Sequence, residues 1–250
     1  MRRIATRIGE NGGRFSGQSC KCDNRGVDKI MKAPLVSVVV PVYNQDRYIS
    51  RCLRSLLNQN FPNDKFEIIV VNDGSTDRTS AALHSFNDDI TLIDLDENVG
   101  LPSALNQAIR TAQAPYLVRV DADDYVNEYF LTILYMFLAE NRYMDAVACD
   151  YLLVNEREEV LERRSCLIDP IACGIMFRTD CLIDIGLYDE SFLLHEERDL
   201  RIRFLKKYVI THVEVPLYRY RRHEKNLTNN SSAAEYHLSM LIEKHGESAL

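Results

Sequence analysis

The segment Asp121-Ala122-Asp123-Asp124 carries the sharpest chemical signal in this sequence. It follows the apolar run Tyr116-Leu117-Val118-Arg119-Val120, so its carboxylates stand at the end of a buried strand. Two carboxylates two residues apart suit a hard divalent cation. Mg²⁺ or Mn²⁺ takes one or two protein carboxylates and fills its shell with water and substrate phosphates. The plainer alternative is a solvated acidic turn capping the helix after Asn127. The neighbourhood of other polar strand ends favours the metal, with Asp121 and Asp123 as ligands.

A second polar turn, Asn72-Asp73-Gly74-Ser75-Thr76-Asp77, follows the run Phe66-Glu67-Ile68-Ile69-Val70-Val71. Its Asp and Ser are good helix caps. Alternatively, Asp73 accepts a hydrogen bond from a nucleobase or ribose. Pro41-Val42-Tyr43-Asn44 and Glu97-Asn98-Val99-Gly100 end two further strand-like runs. Ligands of open α/β sheets bind at the carboxyl ends of strands, where all four segments fall. The sequence holds neither Gly-x-Gly-x-x-Gly nor a phosphate-loop Gly-Lys-Ser/Thr. Dinucleotide enzymes and ordinary ATPases therefore lose support.

The elements that must position these residues alternate along the chain. Strands are predicted over 35–40, ended by Pro41, and over 66–71, 90–95 and 116–120. Helices are predicted over 46–59, from about Thr76, and over 102–112. The apolar positions Ile49, Cys52, Leu53, Leu56 and Leu57 mark the first of these. Strand–helix–strand repetition with short connections means a parallel sheet covered by helices. Further on, 127–140 reads as a helix, 146–154 and 159–164 as a strand pair, and 196–207 and 232–245 as helices. Tyr143, Tyr151, Phe177 and Phe192 read as core aromatics. The expectation is an α/β fold with one mixed, mainly parallel sheet. Residues 33–124 form its nucleotide-binding half, 125–228 complete the domain, and 229–250 form a helical tail.

The chain has 250 residues, 46% hydrophobic and 27% charged, as a globular protein has. Its longest apolar run, from Leu35 to Tyr43 and interrupted by Ser37, is far short of the roughly 20 residues of a membrane span. No apolar stretch follows the N-terminal arginines, so no secretory signal fits. The net charge is −7; residues 1–32 carry +5, which leaves −12 on the rest. An acidic body argues against nucleic acid as a partner. The Gly- and Arg-rich stretch 1–32 is expected to be a disordered extension, with Met31 a candidate true start. Of the seven cysteines, Cys20 and Cys22 lie in the N-terminal stretch and Cys52, Cys149, Cys166, Cys173 and Cys181 are scattered among apolar neighbours, without the paired spacings and His partners of a zinc site. Free thiols of this kind fit a reducing compartment, hence the cytoplasm.

Several segments together resemble family 2 glycosyltransferases of the GT-A fold, in the family's order, over about residues 35–228. They are Val36-Ser37-Val38-Val39-Val40-Pro41-Val42-Tyr43-Asn44, Glu67 to Asp77, and Asn98-Val99-Gly100 with Asn106. The others are Asp121 to Asp124, Gly186-Leu187-Tyr188-Asp189-Glu190 with His195-Glu196-Glu197-Arg198-Asp199-Leu200, and Pro216-Leu217-Tyr218-Arg219-Tyr220-Arg221.

The resemblance implies a GT-A-type single domain and an inverting transfer from a nucleotide-sugar. By family habit the donor is a UDP-sugar. The acceptor would be a hydroxyl of a polysaccharide or lipid-linked glycan, read by the second half of the domain. Peripheral contact with the inner face of the membrane is a further expectation. By the same analogy Pro41, Tyr43, Asn44, Asp73, Asn98 and Gly100 hold the nucleotide-sugar. Asp121 and Ala122 would also contact the nucleotide-sugar, and Asp121 and Asp123 would hold the metal and the diphosphate or ribose. The family often has Glu-Asp where this chain has Glu196-Glu197, so Glu197 is the expected base, with Glu196 and Asp199 as alternatives. Leu105 stands where the family often has Arg. Arg219, Arg221, Arg222, His223 and Lys225 form a basic cluster, read as a diphosphate clamp, a lipid contact or a solvated edge. His223 is a candidate further metal ligand. Two other functions stay open: a non-catalytic nucleotide-sugar-binding relative and a sugar nucleotidyltransferase.

Overall fold

Strand β1 (Val36–Val42) is buried along its whole length. It runs parallel to β2 (Phe66–Asn72) on one side and β4 (Tyr116–Arg119) on the other. A strand covered on both faces reads as a nearly continuous apolar, β-branched run, and this one does apart from Ser37 and Pro41. Beyond β2 lies β3 (Thr91–Asp94), also parallel. The computed structural model describes residues 33–223 and 231–246, all within one compact unit. The extension expected over 1–32 and the ends of the tail expected over 229–250 lie outside the described residues.

Alternate residues of each strand serve opposite faces. Val38, Val40, Ile68 and Val70 pack under α1 (Ile49–Leu57) and α4 (Phe130–Glu140). Val39, Ile69 and Val71 pack under α3 (Leu101–Thr111) and α6 (Glu196–Leu205). Two short helices, α2 (Thr79–Leu83) and α5 (Thr179–Asp184), complete the flanks. The first three helices stand where the apolar spacing puts them, with α2 beginning slightly later than expected.

One expectation fails at Pro41, which lies inside β1 rather than ending it. The carbonyl of Val39 accepts from Val120, so Pro41, two residues on, also faces the β4 side. Strand β4 has ended at Arg119 by then, so the nitrogen that lacks a proton faces no ladder partner.

The second half extends the same sheet with β5 (Tyr125–Val126), β6 (Ala146–Val154), β7 (Val160–Arg164), β8 (Ile175–Arg178) and β9 (Ile210–Arg221). The nine strands run β3-β2-β1-β4-β8-β6-β9-β5, with β7 on the free part of β6. The β6–β7 pair matches the sequence reading; β5, β8 and β9 were not anticipated as strands. Strand β9 carries Glu214, Pro216 and Arg219 among its apolar residues, which hides the alternation. Its pairing Tyr125↔Arg219 and Val126↔Tyr218 folds the chain end back over the Asp121–Asp124 segment.

Helix α7 (Ser231–His245) ends against α6, described below. Tyr151, Phe177 and Phe192 are buried as expected, but Tyr143, in the turn before β6, is 96% exposed. Cys52, Cys149, Cys166, Cys173 and Cys181 are buried and unpaired. No helix among the described residues is long and apolar enough to cross a membrane.

Candidate active site

Three loops at the carboxyl edge of the sheet are laced together by the residues that sequence reasoning assigned to a nucleotide. Asn44 sits in the left-handed region (φ 52°), which Asn tolerates. Its Oδ1 accepts the N–H of Thr76 at 2.8 Å, and its own N–H donates to Ser75 Oγ at 2.9 Å. Asp73 is buried; its Oδ1 accepts from Val99 N–H at 2.7 Å and its Oδ2 from Gly100 N–H at 3.1 Å. Asn98 Nδ2 donates to the Asp73 carbonyl at 3.2 Å. A Cβ on Gly74 (φ 64°) would lie 2.4 Å from the Glu97 backbone, so only glycine lets these loops close. Pro41 and Ala122 are buried beneath this rim, while Tyr43 is 45% exposed. Asn44, Asp73, Asn98 and Gly100 thus build the rim, and Tyr43 presents a ring to solvent.

Leu105 lies in the core with Val39, Ile69 and Val71. Asn106 beside it donates to the Tyr188 carbonyl and to Glu190 Oε1, both at 2.9 Å, and accepts from Tyr188 N–H at 3.0 Å. It therefore anchors the 186–190 segment on α3.

The acidic segment is held by a network that the sequence reading missed. Arg119, 5% exposed, forks onto Asp121 through Nε at 2.7 Å and Nη2 at 3.2 Å. Its Nη1 donates to Glu196 Oε1 at 3.1 Å. An arginine inside an apolar strand was the available signal, since such a charge needs buried carboxylates. The Tyr218 hydroxyl donates to Asp124 Oδ2 at 2.7 Å and accepts from Asp121 N–H at 3.1 Å. Asp124 Oδ1 accepts from Arg221 N–H at 2.7 Å. Burial, then the charges of Asp123 and Asp121, push the Asp124 carboxyl well above the usual carboxylate range.

Asp123 points elsewhere, with its Oδ2 2.9 Å from His223 Nε2. The His223 ring stacks on Tyr48 with centroids 5.0 Å apart. Arg221 lies over the rings of Tyr48 and Tyr125 and donates to the Asp123 carbonyl at 2.9 Å and to Glu158 Oε1 at 3.1 Å. Arg219 donates to the Pro216 carbonyl at 2.7 Å. These two arginines of the expected clamp are structural ties. Arg222 is exposed and Lys225 lies outside the described residues. Arg222 and His223 border an open hollow of about 490 Å³ with Asn155, Glu156, Arg157 and Glu159.

Helix α6 opens on His195 in the left-handed region (φ 62°) and sends its acidic residues in different directions. Successive side chains turn by about 100°. Glu196, 4% exposed, faces Arg119; burial raises its carboxyl above the ordinary range against the pull of Arg119, and Glu197 adds to the rise. Glu197 is half-buried beside Arg201, in a small cavity with Ala172, Ile175, Phe177 and Tyr188.

Asp199 is a correction. It is 0% exposed and enclosed by Arg203 Nε at 2.8 Å, Lys244 Nζ at 2.7 Å and His245 Nε2 at 2.8 Å. A carboxylate so enclosed anchors α7 to α6 and has no room for a substrate. Burial alone would raise its carboxyl, but the hydrogen bonds from Lys244, His245 and Arg203 hold it below the usual range. Asp199→Ala is expected to lower stability by about 3 kcal/mol at pH 7, the low end for a broken buried pair because Lys244 and Arg203 reach water. With the folded value depressed, this contribution is complete above about pH 4 and is lost as pH falls through that value. Urea unfolding of both proteins at pH 7 and in acid checks this, and the gap between them should close in acid.

The sequence profile described as "Glycosyl transferase family 2" matches residues 37–190. A poly(ribitol-phosphate) beta-glucosyltransferase of Bacillus spizizenii is 40% identical over 111 residues, 43% of this chain and 18% of that protein. The poly(ribitol-phosphate) beta-N-acetylglucosaminyltransferase TarS of Staphylococcus aureus is 37% identical over 178 residues, 66% of this chain and 31% of TarS. The chain thus spans only 18% to 31% of the length of these relatives. The crystal structure of TarS 1–349 in complex with UDP-GlcNAc matches with a TM-score of 0.70 at 23% identity, covering 86% of this chain and 70% of that one. A mannosyltransferase of Pyrobaculum calidifontis in complex with GDP-Man and Mn²⁺ matches with a TM-score of 0.65 at 21% identity, covering 83% and 62%. These two likenesses establish the mixed α/β GT-A-type fold.

Proposed function

We propose that this chain, which belongs to glycosyl transferase family 2, moves a sugar from a nucleotide-sugar to an acceptor hydroxyl at the edge formed by β1, β4 and α6. The observation that carries the reading is the convergence of Asp123 Oδ2 and His223 Nε2, 2.9 Å apart, beside the open hollow. Two ligands at right angles, each about 2.1 Å from one octahedral ion, are about 3 Å apart, so this pair fits Mg²⁺ or Mn²⁺. Carboxylate with imidazole also suits Mn²⁺ by donor type. A cation held there supplies charge neutralisation on the departing diphosphate.

The chain's own residues do the rest. Tyr43 offers a ring on which a nucleobase stacks. Arg119 and Glu196 fix Asp121 at the end of β4. Glu197, the less buried of the two adjacent glutamates, takes the proton of the acceptor hydroxyl as that oxygen attacks the anomeric carbon. The bond from sugar to diphosphate breaks on the opposite side, and the single displacement inverts the configuration. A UDP-sugar is the favoured donor, supported by the likeness to TarS with UDP-GlcNAc. Relatives named for poly(ribitol-phosphate) support a polymeric cell-surface glycan as acceptor. The reaction would take place in the cytoplasm, with peripheral contact at the inner face of the membrane.

The test is to supply labelled UDP- and GDP-sugars with Mn²⁺ and a panel of polyol-phosphate and lipid-linked acceptors. Acceptor-dependent transfer from one donor is expected. Tight donor binding without transfer to any acceptor would instead support the non-catalytic relative.

A further inference from the structure

Away from that edge, Asp150 on β6, Cys166 just after β7 and His212 on β9 bring a carboxylate oxygen, a thiol sulfur and an imidazole nitrogen within 4.8 Å of one another. His212 Nε2 is 2.7 Å from Asp150 Oδ1. The N–H of Cys166 donates to the same oxygen at 3.3 Å. Arg163 Nη2 donates to Asp150 Oδ2 and to the Glu214 carbonyl, both at 3.0 Å. The ladder between β6 and β9 breaks at this point, jumping from Cys149↔Val213 to Asp150↔Pro216. Such bulges bend a strand and re-aim its side chains.

We propose that Asp150, Cys166 and His212 form a zinc site, with the ion held by Sγ, Nε2 and a carboxylate oxygen and with water in the fourth position. Sulfur, nitrogen and oxygen donors from three segments match the borderline-soft, tetrahedral preference of Zn²⁺. Ligands about 2.0–2.3 Å from a tetrahedral ion sit about 3.3–3.6 Å from one another. The Asp150–His212 pair opens slightly to reach that spacing, and the sulfur closes slightly. On binding, the thiol releases one proton and the neutral imidazole carries its proton on Nδ1. The thiolate and carboxylate then balance the charge of the ion. Arg163 stays on the second carboxylate oxygen and orients the ligand.

The donor set is softer than the Asp123–His223 pair, so the two sites select different metals. The ion would pin the start of the segment joining β7 to β8. That segment continues to Ile171, whose carbonyl accepts from Arg201 of α6 at 2.9 Å, and to Ala172, which walls the cavity of Glu197. Zinc there steadies one wall beside the proposed base.

The test uses the full chain, stripped of metal and titrated with Co²⁺ and then Zn²⁺. The expected result is a thiolate-to-cobalt charge-transfer band with the visible bands of tetrahedral cobalt, displaced by one Zn²⁺ per chain. Cys166→Ala and His212→Ala should abolish the band and the zinc, and Arg163→Ala should weaken zinc about 10-fold. Asp123→Ala should keep the band, which separates this site from the transfer reaction. A cobalt spectrum without a thiolate band, or undiminished zinc in Cys166→Ala, would overturn the proposal. If the variants fail to fold, a wild-type cobalt spectrum without a thiolate band still overturns the proposal.

Discussion

Asp123→Ala is expected to lower sugar transfer by about 1000-fold while the protein stays folded. The side chain contributes little to the core: its carboxylate meets His223, and Asp124 carries the buried hydrogen bonds to Tyr218 and Arg221. Its removal takes away one of the two proposed metal ligands. Charge stabilisation by a metal at a phosphoryl oxygen is worth several kcal/mol, and about 4 kcal/mol corresponds to about 1000-fold. Steady-state transfer with saturating donor and Mn²⁺ measures the loss, and circular dichroism checks the fold. Activity within a few-fold of wild type would remove Asp123 from the site.

Glu197→Gln is expected to lower the rate constant by about 100- to 10,000-fold, the range for loss of a positioned general base, with little change in donor affinity. Glutamine keeps the size and the lone pair but takes up no proton from the acceptor. The contrast is Glu196→Gln, which still accepts from Arg119 through its carbonyl oxygen. Its loss should be smaller and accompanied by lower thermal stability, because Arg119 then has one carboxylate instead of two. Glutamate reaches one methylene further than the aspartate usual in the family, and a misplacement near 1 Å costs about 100-fold. Glu197→Asp therefore also tests whether the surrounding wall, with Ala172 and Ile175, is shaped for the longer side chain.

The first half of the fold was legible because its strands are buried on both faces and its helices carry single apolar stripes. Val36 to Val42, apart from Ser37 and Pro41, and Ile49 to Leu56 show the two patterns. The second half was less legible because its strands serve the site as well as the core. In β9, Tyr218, Arg219 and Arg221 reach Asp124, Pro216 and Glu158, so polar residues interrupt the alternation. The acidic strand end was visible from spacing, but its partners were not. Tyr218 and His223 reach it only once β9 folds back over the segment. Likewise, nothing local marks Asp199 as an anchor, because Lys244 and His245 come from a helix dozens of residues later.

The central claim is that a divalent cation at Asp123 and His223 joins the nucleotide-sugar to this chain. The most direct measurement is thermal unfolding with UDP- and GDP-sugars, with and without Mn²⁺, in wild type and Asp123→Ala. A ligand at about 100 times its dissociation constant stabilises by about 2.7 kcal/mol, or about 5–10 °C for a domain of this size. The account predicts a shift of that order for one nucleotide, only with Mn²⁺ and only with Asp123 present. An equal shift without Mn²⁺ or in Asp123→Ala, or no shift with any nucleotide for folded protein, would contradict it.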